Sequence, residues 1–148
     1  MMKLHPDWRE FIGLLNSHGV EYLLVGAHAR AVHGVPRSTG DIDFFVRPSV
    51  ENARRLMDSL RAFGFGAAGL CEADFELPDQ IVQLGIEPYR IVLITGISGV
   101  PFEEAWADRV EAMVDGLPVP VISLRAYRRN KAAAGRPKDL GDLDALPG

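Results

Sequence analysis

The chain has 148 residues, enough for one domain with a genuine hydrophobic core and little room for a second. Hydrophobic residues make up 47% and charged residues 24%, which excludes a disordered or fibrous chain, and the net charge of −4 argues against a general polyanion-binding surface while allowing a local basic patch. The single cysteine, Cys71, rules out an internal disulfide and a thiolate metal cluster, and points to a reduced, cytoplasmic protein with a bland thiol.

Taken in chain order, the N-terminal stretch MMKLHPDWREFIGLLNSHG has acidic residues and helical periodicity instead of the basic end and unbroken apolar run of a signal peptide. No window approaches the ~18 apolar residues of a membrane span, so no membrane partner is expected. Asp7 is the expected cap of a first helix, with Trp8, Phe11, Ile12, Leu14 and Leu15 on its apolar side up to Gly19. Val20 to Val25 reads as a buried strand stopped by Gly26, and the Ala-rich Ala27 to His33 as a helix ending at Gly34 and Pro36.

Asp41 to Val46 is a second strand, closed by Pro48. Ser49 caps a helix from about Val50 to Phe63, with Asn52 to Arg55 opening its polar face. The Gly-rich connection Gly64 to Gly69 is where mobility is expected. Ile81 to Gly85 and Tyr89 to Ile94 are two more strands joined by a turn at Gly85 to Pro88. Phe102 to Ala107 forms a short helix, and Arg109 to Val114 and Leu117 to Ile122 flank the hairpin signal Asp115-Gly116. Ser123 caps a basic helix reaching Ala134, Gly135-Arg136-Pro137 breaks it, and a last short helix covers Lys138 to Leu146, so that 123–146 is a basic C-terminal helical segment. The whole describes a single α/β (α+β) domain over 1–148, a small mixed sheet flanked by helices.

The chemistry concentrates in Gly26 to Val46, GAHARAVHGVPRSTGDIDFFV. A helix entered through a glycine turn presents unpaired amides at Gly26, Ala27 and His28, a natural anion site. Asp41 and Asp43 point to one face of their strand ~7 Å apart, a spacing that lets two carboxylates share a hard cation whose shell substrate phosphates complete. Alone, an Asp-x-Asp pair is a weak signal, and an acidic turn leading into a buried strand is the commoner reading. With the strand-Gly-helix unit upstream and Arg30 and Arg37 nearby, it becomes the kit for two-metal phosphoryl chemistry.

Val25-Gly26-Ala27 followed by Asp41-Ile42-Asp43-Phe44 resembles the hG[GS]…Dh[DE]h motif of the nucleotidyltransferase superfamily of DNA polymerase β-like fold. The string HG-x-PR-x-TGDID, with the tail Lys131-x-x-x-Gly135-Arg136-x-Lys138-Asp139, is similar to the small bacterial branch related to AbiEii toxin-type nucleotidyltransferases. The resemblance spans about Val20 to Leu146. It implies the nucleotidyltransferase fold, a nucleoside triphosphate substrate, Mg²⁺ or Mn²⁺, and Asp41 and Asp43 as catalytic metal ligands. It further implies transfer of a nucleoside monophosphate to a hydroxyl of an RNA, protein or small-molecule acceptor, with a cognate antitoxin as a partner if the toxin branch applies.

Two positions depart from the pattern. Ala27 stands where the superfamily carries Gly or Ser, which removes a hydroxyl but keeps the backbone amides. More seriously, the third carboxylate that completes the metal site and helps activate the acceptor falls at position 92, and that residue is Val92. Asp74, Glu76, Asp79 and Glu87 precede the strands and could substitute only through unusual loop geometry. The sequence thus allows a weakened enzyme, or a catalytically inactive binding or regulatory protein on the same scaffold.

Other residues divide between sharp and plain readings. His28 and His33 are off the i, i+4 spacing of helical zinc ligands and suit packing or hydrogen bonding, with His28 placed to meet phosphates because it opens its helix. Arg37 and Thr39 either touch phosphate or tie down the loop. The run Arg125, Arg128, Arg129, Lys131, Arg136, Lys138 is either a solvated helix face or, through Lys131, Arg136 and Lys138, a set of contacts to nucleotide phosphates or an RNA end, with Asp139 and Asp142 pairing the cations.

Overall fold

The computed structural model describes residues 3–34, 40–65, 69–86 and 89–144, the side chains of 142–144 excepted. Arg37, Thr39, Glu87, the side chain of Asp142 and part of the Gly64 to Gly69 connection therefore lie outside the described residues.

The elements run α1 (Pro6–Ser17), β1 (Tyr22–Val25), α2 (Gly26–Val32), β2 (Asp41–Val46), α3 (Val50–Phe63), a 3₁₀ turn (Glu72–Phe75), β3 (Ile81–Leu84), β4 (Arg90–Ile94), α4 (Phe102–Ala107), β5 (Val110–Val114), β6 (Leu117–Val121), α5 (Leu124–Ala134) and α6 (Pro137–Asp144). The strands form one mixed sheet in the order β3-β4-β2-β1-β6-β5. β1 pairs antiparallel with β2 and parallel with β6, and β2 pairs parallel with β4. β3 and β5 are antiparallel edge strands.

The alternation of β2 sorts its side chains. Phe44 turns to one face and packs against Phe11 of α1 and Tyr22 of β1, in a layer closed by Leu15, Leu56 and Leu60. Phe45 turns to the other and meets Phe102 of α4 edge-on, 5.0 Å between ring centroids. Each such large apolar side chain contributes about 1.5–3 kcal/mol by leaving water. The sheet is thus packed on both faces, and the start of the Phe45 face carries Asp41 and Asp43.

Two local readings need correcting. The cap of α1 is His5, whose Nδ1 accepts a hydrogen bond from the Asp7 amide at 3.2 Å, and Pro6 opens the helix where a missing N–H costs nothing. Asn52 belongs to the interior: its Oδ1 accepts from the Glu21 amide at 2.8 Å, and its Nδ2 donates to the Glu21 and Arg47 carbonyls at 3.0 and 3.1 Å, clasping the start of β1 to the end of β2. Ser49 and Ser123 cap α3 and α5 as expected, accepting from Asn52 and Ala126 amides. Asp115 and Gly116, at φ 49° and 82°, make the β5–β6 hairpin turn.

Candidate active site

The parallel pairing of β2 with β4 sets three rows side by side on one sheet face: Asp41 beside Arg90, Asp43 beside Val92, Phe45 beside Ile94. In the first row the guanidinium meets the carboxylate with two hydrogen bonds, Nε to Oδ1 at 2.9 Å and Nη2 to Oδ2 at 3.3 Å. In the second row the carboxylate faces an isopropyl group. On its other side Asp43 is paired with Val25 of β1, immediately before Gly26.

Gly26 is there for room as well as for backbone conformation. Its φ is +67°, a left-handed geometry that L side chains rarely adopt, and a Cβ at this position would lie 2.2 Å from Oδ2 of Asp43. The close approach puts the Asp43 carboxylate against the backbone where β1 turns into α2. Burial, and next the neighbouring Asp41 charge, push the Asp43 carboxyl up to about 6, against the opposing pull of Lys131, Lys138 and Arg90.

A cavity of about 480 Å³ opens over this spot, with Gly26, Asp43 and Val92 on the sheet side and Asn130, Lys131 and Arg136 on the helical side. Asp139, 0% exposed, fixes the two cations: its carboxylate accepts from Lys131 Nζ at 3.3 Å and from Arg136 Nε and Nη2 at 2.5 and 3.1 Å. The hydrogen bonds from Arg136, and then those and the charge of Lys131, hold the Asp139 carboxyl down at about 2 despite its burial. Lys138 is exposed and reaches Asp43 through its charge, not as part of the cavity wall.

The basic run of the C-terminal segment therefore splits. Arg125 pairs with Asp108 at 3.1 Å and Arg129 with Glu104 at 2.8 Å, tying α5 to α4, while Lys131 and Arg136 turn to the cavity. His28 lines no wall of that cavity. It packs edge-on against Trp8, ring centroids 5.1 Å apart, hydrogen-bonds the Asp41 backbone, and burial lowers its pKa. His33 lies elsewhere, its Nε2 2.7 Å from the Ile122 carbonyl. Ala27 follows Gly26 at the start of α2, outside the cavity lining.

The third-acid question has a structural answer among the described residues. Asp74 is turned back to accept from the Cys71 amide at 2.8 Å. Asp79 does adopt unusual loop geometry, φ +64°, but its carboxylate lies against Gly96. No group of three acids, histidines or cysteines is gathered among the described residues. The donors that remain, Asp41 and Asp43, are hard oxygen ligands on one face, and the raised Asp43 carboxyl is a group that a cation would relieve. Asp43 lines the cavity while Asp41 is held by Arg90 outside its lining, so the pair fits one divalent ion better than two, and takes it with both carboxylates only once Asp41 leaves Arg90.

No family model matches the chain, and no curated protein sequence does. Solved structures do. A protein assigned as a nucleotidyltransferase from Thermotoga maritima superposes with a TM-score of 0.62 at 18% identity, over 97% of this chain and 94% of that one. The chain has the nucleotidyltransferase fold. The lincosamide antibiotic adenylyltransferase LnuA, solved with lincomycin, gives 0.59 at 14% identity over 99% of this chain and 98% of its own. The antibiotic-resistance protein ANT(2'')-Ia, solved with adenylyl-2''-tobramycin, gives 0.56 at 12% identity over 93% and 84%. In the nucleotidyltransferase fold of this chain, the six strands and the helices on both faces realise the small mixed sheet read from the sequence. No helix among the described residues is long and apolar enough to cross a membrane.

Proposed function

We propose that this nucleotidyltransferase-fold protein binds a nucleoside triphosphate with one divalent cation, Mg²⁺ or Mn²⁺, in the cavity between β2 and α5. The observation that carries the reading is the meeting of Gly26, Asp43, Lys131 and Arg136, drawn from three distant parts of the chain, around one space of about 480 Å³. That volume lies within the range of small-ligand sites. Asp41 and Asp43 would hold the cation, which when bound supplies charge neutralisation for the phosphates. Lys131 and Arg136, steadied by Asp139, would meet the phosphate oxygens, and Gly26 would let them approach the backbone.

Transfer is the reaction such an arrangement would serve. An acceptor hydroxyl oxygen bonds to the α-phosphorus, the bond from that phosphorus to the bridging oxygen of the β-phosphate breaks, and pyrophosphate leaves. The hydroxyl proton goes to solvent, because Val92 offers no acceptor for it. Without a positioned base the step slows by a factor of ~10²–10⁴. LnuA and ANT(2'')-Ia, whose structures hold lincomycin and an adenylylated tobramycin, favour a small hydroxylated acceptor over RNA or protein. A toxin–antitoxin role rests only on the AbiEii-like sequence pattern and remains a secondary reading.

A second reading has its own observation: Val92, 9% exposed, puts an isopropyl group on the cavity wall beside Asp43, as it would in a protein that keeps nucleotide binding and has given up turnover. Calorimetric titration of the four common nucleoside triphosphates, with Mg²⁺ and with EDTA, tests the shared part. Binding that needs Mg²⁺ and drops at least tenfold in Asp43→Ala and in Lys131→Ala supports it; heats unchanged by EDTA and by both substitutions would refute it.

A further inference from the structure

A second cavity, larger than the one that Asp43 lines, lies on the same sheet. About 710 Å³ lies at the far end of the same sheet face, where β2 runs out into Arg47 and the chain crosses from β4 to α4. Its body is apolar, walled by Phe45, Phe102, Ile97, Val100 and Pro101, and its volume suits a small organic molecule. Gly96 and Ile97 line both cavities, so the two are separated by the thickness of one loop.

The charges around it have one sign in excess. Arg47 lines the cavity, but its guanidinium is held by Glu21, Nε to Oε1 at 3.0 Å, and by Glu103, and it lies over the Phe102 ring at 4.7 Å. On the cavity wall Glu103 answers Arg47, and Glu21 answers it from outside the lining. Asp79 adds another carboxylate on the wall and forms no ion pair with a described residue.

Asp79 is also held in place at some expense. Its φ of +64° is uncommon for any residue but glycine, and its carboxylate and backbone occupy the space where Gly96 would carry a Cβ, Oδ1 at 2.2 Å and the amide nitrogen at 2.9 Å. The loop cannot relax away from this arrangement easily. The Thr95 hydroxyl donates to the Leu77 carbonyl at 2.8 Å and accepts from the Gln80 amide at 2.8 Å, and the Thr95 amide donates to the Gln80 carbonyl at 3.0 Å. A strained acid on a clamped loop, at the rim of an apolar cavity with surplus negative charge, is a preorganised cation receptor.

We propose that this cavity binds a small apolar molecule bearing a single basic amine, its hydrocarbon part against Phe45 and Phe102 and its ammonium group between Asp79 and Glu103. The proposal is independent of nucleotide binding and of turnover, and its test contains no nucleotide.

The test is an amide chemical-shift titration of the full chain with 2-phenylethylamine, using 2-phenylethanol as the uncharged analogue and phenylacetate as the anionic one. The amine should give saturable shifts at Gly96, Ile97, Gly99 and Glu103, at least fivefold tighter than the alcohol, with phenylacetate weaker still. Asp79→Asn keeps a residue that tolerates the left-handed backbone while removing the charge, and should weaken the amine about five- to tenfold and leave the alcohol unchanged. Glu103→Gln, at an exposed helix start, should act in the same direction and guards against a loop disturbance in the first variant. Shifts scattered away from these amides, equal affinity for amine and alcohol, or indifference to both substitutions in well-dispersed spectra would overturn the proposal.

Discussion

Asp43 and Val92 sit side by side on adjacent parallel strands, a carboxylate and an isopropyl group sharing one face of the sheet. That adjacency decides what the site can do. An acid at position 92 would stand directly beside the existing pair; the valine leaves Asp43 with burial and the Asp41 charge on it and no third acid in the neighbouring row.

Gly26→Ala should damage the site more than the fold. The methyl group meets Oδ2 of Asp43 and forces a left-handed alanine, costing about 1–2 kcal/mol for the backbone alone. The expected result is a lowered Tm with retained cooperative unfolding, together with loss of most Mg²⁺-dependent nucleotide affinity. Thermal denaturation and calorimetry on the same sample check both parts.

Asp43→Asn should stabilise the protein in the absence of divalent cations. A carboxyl raised to about 6 is ionised at pH 7.5 at a cost to the folded state, so removing the charge returns on the order of 1–2 kcal/mol. Calorimetric Tm should rise by a few degrees in EDTA, while nucleotide binding in Mg²⁺ disappears. A lower Tm in EDTA would mean that the carboxylate is a structural group rather than a stored functional one.

Asp139→Asn tests whether the α5–α6 junction is organised around one buried acid. Its folded pKa of about 2 lies below the ordinary value of ~3.9, so its stabilising contribution is present above about pH 4 and is lost as pH falls toward 2. The variant should be less stable than the wild type at pH 7, and the difference between them should shrink between about pH 4 and pH 2. Nucleotide affinity should fall as well, because Lys131 and Arg136 lose the group that positions them.

Much of this architecture was legible in the residue pattern for physical reasons. Asp41 to Val46 and Val50 to Phe63 match β2 and α3 because alternation, a serine cap and a closing glycine each act locally. Gly26 before a helix and Asp41 and Asp43 after it carry the fold's signature in sequence order. What was hidden depends on contacts between distant segments. Nothing local announces that Arg90 meets Asp41, that Asn52 joins Glu21 to Arg47, or that His28 turns under Trp8 instead of toward the cavity. The division of the basic run is equally tertiary, since Arg129 and Lys131 look alike until Glu104 and Asp139 take their places.

A nucleotidyltransferase site that lacks one acid should quicken when that acid is restored. Pyrophosphate release should be followed with Mg²⁺, each nucleoside triphosphate and a panel of hydroxylated small molecules and RNA, for wild type, Asp43→Ala and Val92→Asp. Slow release in wild type, none above background in Asp43→Ala, and a rise of at least tenfold in Val92→Asp are expected. Brisk release in wild type that Val92→Asp leaves unchanged or lowers would contradict this reading of the site, as would release that survives Asp43→Ala.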